Sequence, residues 1–145
     1  MKTRGFSLLE LLIVVAIILI IATIAVPTLL RSRQTANESS AVANLRTIGN
    51  AEATYILSAQ GNYASLPELV TAGLMDSRFI SSVSGYDYAV ATFPGGYTAS
   101  ASPDAPNNGR YGFYVLVDSV IRYSTATSST CTPCYPPGLS GEAVR

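Results

Sequence analysis

Residues 6–30 read FSLLELLIVVAIILIIATIAVPTLL, in which one ionisable side chain, Glu10, stands among apolar ones. At about 1.5 Å per helical residue, the run from Leu11 to Leu30 covers about 30 Å, the thickness of one bilayer core. Lys2 and Arg4 precede it, and Arg31 and Arg33 follow. Positive flanks favour the cytoplasm for the short leading side, although the near balance makes this a weak signal. A secretory signal peptide would carry a shorter apolar core, of about 7–15 residues, with a small-residue cleavage site beyond it. Here the core is longer, Thr23-Ile24-Ala25 is a poor site, and an acidic residue opens the run. A plain membrane anchor accounts for the length but not for Glu10. An ionised carboxylate at membrane depth costs about 2.5–3.5 kcal/mol on insertion scales and marks a functional partner by default.

Cleavage after Gly5 would supply that partner, because it creates an α-amino group on Phe6 with a reference pKa of about 8. Glu10 lies four residues on from Phe6 in the same chain. It could equally meet the amine of a neighbouring copy displaced along a filament. The string GFSLLELL, with a basic leader before the glycine and a long apolar helix after it, resembles the processing motif of type IV prepilins and type II secretion pseudopilins. That resemblance implies a prepilin peptidase that cuts Gly5–Phe6 and N-methylates Phe6. It also implies a Glu10 that neutralises the amine of an adjacent subunit, a homo-oligomeric helical filament, and an inner-membrane assembly platform with its ATPase. The expected location is the inner membrane first, then a cell-surface pilus or a periplasmic pseudopilus. Pro27 matches a proline common in the family's first helix. Proline removes one backbone N–H and clashes with the preceding turn, so a kink or local melting is expected near Thr23–Pro27.

The helical pattern continues past the apolar run. Val42, Leu45, Ile48, Tyr55 and Ile56, with Ala41, Ala51 and Ala59, recur at three- and four-residue intervals, and Asn37, Glu38, Arg46 and Asn50 are read onto other faces. Gly61-Asn62 is a plausible stop, so one helix of about 55 residues, roughly 80 Å long, is expected. Ser65-Leu66-Pro67-Glu68 has the spacing of a capping box opening a short helix that Gly73 ends. The period then changes to two. Tyr86–Thr92 and Gly96–Ser102 alternate around a Phe93-Pro94-Gly95-Gly96 turn, and Tyr111–Val117 and Val120–Tyr123 pair around Asp118-Ser119. The expected fold is α+β: a long N-terminal helix packed on an antiparallel sheet of three to four strands, an order that also resembles the pilin head. The expected layout is a leader at 1–5, a transmembrane and filament-core helix at 6–30, and a head at 31–145. Within the head, the helix continues over 31–60, a connecting region spans 61–85, the sheet spans 86–123 and a tail spans 124–145.

Charged residues make up 12% of the chain and balance to a formal net charge of zero, with no basic cluster, which disfavours nucleic-acid binding. Loss of residues 1–5 would leave nine acidic against seven basic residues. The chain has no His, so the usual general base near neutral pH is missing and no catalytic site is expected. Cys131-Thr132-Pro133-Cys134 holds both cysteines. A zinc site would need two further ligands, and a thioredoxin-like motif should open a helix beside a parallel sheet. A short structural disulfide is favoured, with free or intermolecular thiols as the alternative; closing so small a loop adds about 2 kcal/mol at most. Pilins commonly close a larger C-terminal loop, so this pair departs from the resemblance. Asp104, Asn107 and Asn108 cluster in one loop but fall short of the six or so oxygens a hard cation wants. No cofactor or metal is expected. Outside the filament class, the readings left open are a membrane-anchored binding protein that keeps residues 1–5 and a thiol oxidoreductase using the cysteine pair.

Overall fold

The computed structural model describes residues 6–125 and 142–144. It divides into two units between Arg33 and Gln34, and helix α1, Leu8–Ser58, contributes to both. In the first unit the helix begins with a Leu11 N–H bond to the Ser7 carbonyl. Its side chains stand almost entirely in the open, from Phe6 at 75% exposure to Ile24 at 70%. Pro27 lies inside the helix, which is unbroken there. Two hydroxyls near the proline turn back on their own helix: Thr23 Oγ1 donates to the Ile20 carbonyl at 2.7 Å and Thr28 Oγ1 to the Ile24 carbonyl at 3.0 Å. Such back-bonding satisfies a hydroxyl that lipid cannot.

The second unit is an α+β head. Along its part of α1, the residues Glu38, Ala41, Leu45, Ile48, Ala51 and Glu52 are buried, a stripe with helical spacing. The small residues Ala99 and Ala101 of the sheet share the core with it. Glu38 corrects the sequence reading, which placed it on an outer face: it lies on the buried stripe, where Arg110 compensates it.

Helix α1 ends with Gln60 in the left-handed region at φ 54°, and the Gly61 N–H bonds back to the Ile56 carbonyl. Helix α2, Leu66–Thr71, opens as the capping-box spacing expects, with Glu68 Oε2 accepting from both the Ser65 N–H and the Ser65 hydroxyl at 2.7 Å. It closes in a Schellman motif: the Leu74 N–H bonds to the Leu69 carbonyl, the Gly73 N–H bonds to the Val70 carbonyl, and Gly73 sits at φ 71°. A 3₁₀ turn, Ser77–Ile80, then interrupts what reads in sequence as loop, and Asp76 caps it by accepting from the Arg78 N–H.

Four main strands follow: β1 (Tyr86–Phe93), β2 (Gly96–Pro103), β3 (Tyr111–Leu116) and β4 (Ile121–Thr125). A two-residue β5, Glu142–Ala143, extends the antiparallel meander to the order β1-β2-β3-β4-β5. Register is set at the β1–β2 turn, where Phe93 pairs with Gly96. Pro94, with its fixed φ, followed by Gly95 at φ 81°, has the signature of a type II turn. The β3–β4 link is wider than the expected Asp118-Ser119 turn, since the last pair is Val115 with Ile121. Tyr86 and Leu45 are completely buried between helix and sheet. Strand β5 lies in the stretch read from sequence as tail, and it holds the β4 edge through Arg122–Ala143 and Tyr123–Glu142 pairings.

Candidate functional site

The first unit presents an uncovered apolar helix carrying one carboxylate. Glu10 lies in the first turn of α1, where an anion also complements the helix dipole. Ser7 and Glu10 have capping-box spacing, yet the Glu10 carboxylate makes no hydrogen bond or ion pair with the other described residues. Phe6 precedes the helix and is exposed. Gly5, Cys131 and Cys134 lie outside the described residues.

In the head, polar groups are deployed mainly in structural roles. Glu38 is 8% exposed and accepts from the Arg110 backbone N–H at 2.9 Å, from Nε at 3.2 Å and from Nη2 at 3.0 Å. This ties the β2–β3 loop to α1. The Arg110 guanidinium also lies over the Tyr111 ring, 5.2 Å from its centroid. Glu52 is fully buried; its Oε2 accepts from the Ala64 N–H at 3.1 Å, while Oε1 has no partner among the described residues. Burial pushes its carboxyl above the usual range, the Ala64 N–H opposes that shift, and Glu68 adds to it. The nearby Tyr97 hydroxyl is pushed up to about 12, first by burial and then by the Glu52 charge. Asp104 accepts from Ser82 Oγ at 2.6 Å and Asn108 Nδ2 at 2.5 Å, so its oxygens are already engaged within the loop. Between α1 and the β3–β4 part of the sheet lies a groove of about 460 Å³, lined by Val42, Arg46, Tyr111, Phe113 and Tyr123 among others.

Sequence reasoning named Glu10, Phe6 and Pro27 but gave Glu52 no role. Its burial was legible in one respect, since Ile48, Ala51 and Glu52 continue the spacing of Ala41 and Leu45.

Comparison with known proteins follows this division. The family model described as the prokaryotic N-terminal methylation motif matches residues 1–26. The type IV wide pilus major component PilA4 of Thermus thermophilus is 32% identical over 110 residues, covering 71% of this chain and 84% of that protein. The type IV major pilin protein PilA of Myxococcus xanthus is 41% identical over 54 residues, 37% of this chain and 24% of that one. Type II secretion system core protein G of Escherichia coli is 38% identical over 56 residues, 39% of each chain. No solved structure matches the chain significantly. An apolar, uncovered N-terminal helix on an α+β head, a methylation motif at its start, and similarity to a pilus component over most of both chains together mean that the chain belongs to the type IV pilin and pseudopilin family.

Proposed function

We propose that the chain is a structural subunit of a type IV pilus, cut and N-methylated at Gly5–Phe6 by a prepilin peptidase and polymerised through its N-terminal helix. In this reading residues 1–5 are the leader, 6–30 the membrane and filament-core helix, and 31–145 the head. The observation that carries it is the uncovered apolar helix whose single carboxylate, Glu10, stands four residues after Phe6. A charge at that depth needs a partner, and the amine of a neighbouring subunit provides one. Before assembly the helix resides in the inner membrane. A platform and a cytoplasmic ATPase then move it from lipid into contact with the same helix of other copies. Polymerisation requires no catalysis by the subunit, whose relatives are structural proteins.

A secretion pseudopilin is the second reading, supported by the similarity to core protein G over 56 residues. The pilus reading is preferred because the similarity to the wide-pilus component runs over 110 residues and so extends into the head. Mass spectrometry of the mature N-terminus is expected to find methylated Phe6; an intact Met1 would support the membrane-anchored binding protein instead. Replacing Glu10→Ala should leave that processing intact and abolish filaments in shear preparations. Filaments of normal abundance from this variant would refute the pairing role.

A further inference from the structure

Of the six asparagines in the chain, Asn108 is the one that a glycine follows. The pair sits in the β2–β3 loop, past the end of β2 at Pro103 and ahead of β3 at Tyr111. The fold uses both residues. Asn108 Nδ2 donates to Asp104 Oδ1 at 2.5 Å, and the Asn108 carbonyl accepts from Asn37 Nδ2 at 2.9 Å. Gly109 is buried so closely against the Tyr86 ring and hydroxyl that a Cβ there would overlap them. Tyr86 is itself fixed, being completely buried with its hydroxyl donating to the Tyr111 carbonyl at 2.8 Å. Packing thus excludes a side chain at 109 and leaves an unhindered nitrogen next to a carboxamide.

We propose that Asn108 is a site of spontaneous deamidation through a cyclic imide, and that the product loosens the β2–β3 loop from α1. The proposal stands apart from the filament reading. The reaction uses the backbone nitrogen of the next residue as nucleophile, and that nitrogen must first lose its proton. The Gly109 N–H makes no hydrogen bond to the other described residues, so no acceptor among them holds the proton. With no Cβ on Gly109, nothing crowds the approach. The other five asparagines fail on one count or the other. Asn37, Asn44 and Asn50 lie in α1, where the next N–H is committed to the helical ladder. After Asn107 comes the Asn108 N–H, which donates to the Ala105 carbonyl at 3.0 Å. Asn62 precedes Tyr63, whose side chain crowds the nitrogen.

Water is the one co-reactant. The Gly109 nitrogen gives its proton to solvent and bonds to Asn108 Cγ. The Cγ–Nδ2 bond breaks, and Nδ2 takes a proton from solvent and leaves as ammonia, which closes the imide ring. Water then adds to either imide carbonyl carbon. Addition at Cγ restores the chain with aspartate at 108, whereas addition at the main-chain carbon leaves the chain running through Cβ as isoaspartate. Both products exchange an amide for a carboxylate. That exchange removes the donor to Asp104 and sets two like charges side by side. The isoaspartate form also inserts a methylene next to Gly109, where Tyr86 leaves no slack. Arg110 follows, and its N–H and guanidinium hold Glu38 of α1. The disturbance therefore falls on the join between loop and helix.

The test is storage of the folded full-length chain, in detergent, in water enriched in oxygen-18, with circular dichroism as the check on folding. Trypsin then releases residues 79–110, which hold both Asn107 and Asn108. Asn108 should gain about 3 Da, of which about 1 Da is the exchange of NH2 for OH and about 2 Da the heavy oxygen. The peptide should also separate into aspartate and isoaspartate forms. Asn108 should react about tenfold faster than Asn107, equivalent to about 1.4 kcal/mol in the barrier. Stored parent should unfold at a lower denaturant midpoint than fresh parent. Stored Asn108→Gln, whose longer side chain disfavours ring closure, should keep its own midpoint; if it unfolds early, Asn108→Ser takes its place. Reaction at Asn108 only after urea unfolding, with unchanged mass in the folded chain, would overturn the proposal. Equal rates at Asn107 and Asn108 would do the same. Deamidation with no change in midpoint would overturn the loosening of the loop.

Discussion

Glu38 and Glu52 stand on the same buried stripe of α1, yet their carboxylates are treated in opposite ways. Three donors from Arg110 converge on Glu38, so the ionised form is compensated. Glu52 receives one backbone N–H and keeps an orphan oxygen. Burial therefore favours its neutral form and raises its pKa in the folded head relative to the unfolded chain. The sign follows by linkage. The stability associated with neutral Glu52 is fully present below the unfolded pKa of about 4.3 and is lost as pH rises through the folded value. Asp104 and Asp118, whose pKa values are held below the usual carboxylate range, act in the opposite sense at lower pH. Comparison of parent with Glu52→Gln isolates the Glu52 contribution. The variant should be more stable by about 1–2 kcal/mol at pH 7.5, with the difference shrinking towards pH 4, as read by denaturant unfolding. A difference independent of pH would exclude titration of Glu52 as its source.

At the scale of elements, the two helix ends of the head are closed with unequal chemistry. Helix α2 uses Gly73 at φ 71° in its Schellman motif, where the absence of a Cβ removes the penalty of the left-handed region. The end of α1 places Gln60 at the equivalent position, at φ 54°, and defers its glycine to the next residue. That backbone conformation is disfavoured for a residue with a side chain. Gln60→Gly should therefore raise the stability of the head by about 0.5–1 kcal/mol, with no change in filament yield. Chemical denaturation against the parent would check this, and a loss of stability would show that the Gln60 side chain makes a contribution of its own.

Across the whole molecule, core and assembly segment are separate. The described core residues run from Ala41 to Ile121 and none belongs to the first unit, whose apolar side chains are left for other molecules to cover. A chain beginning at Gln34 should consequently remain a soluble monomer with a single cooperative unfolding transition, whereas longer chains that include Leu8–Leu30 should require detergent. Sedimentation in aqueous buffer and thermal circular dichroism would decide between this and a head that depends on its helix stalk.

What the sequence determined by itself is local or one-dimensional. The order Gly5, Phe6, Glu10 and an apolar run is a linear signal, readable without folding because the motif match over residues 1–26 depends only on a continuous segment. The period-two stretches likewise announced β1 to β4, and Ser65-x-x-Glu68 announced the start of α2, since each depends on neighbours within a few residues. Tertiary structure alone decided the rest. Glu38 reads as a solvent-facing residue until the chain brings Arg110 to it from 72 residues away. Glu52 is buried only because the loop carrying Ala64 closes over the same helix face. Nor does linear order reveal which charges meet: folding brings Arg110 to Glu38 and Arg122 to Asp118, because a side chain's electrostatic partners are set by distance in space rather than separation along the chain.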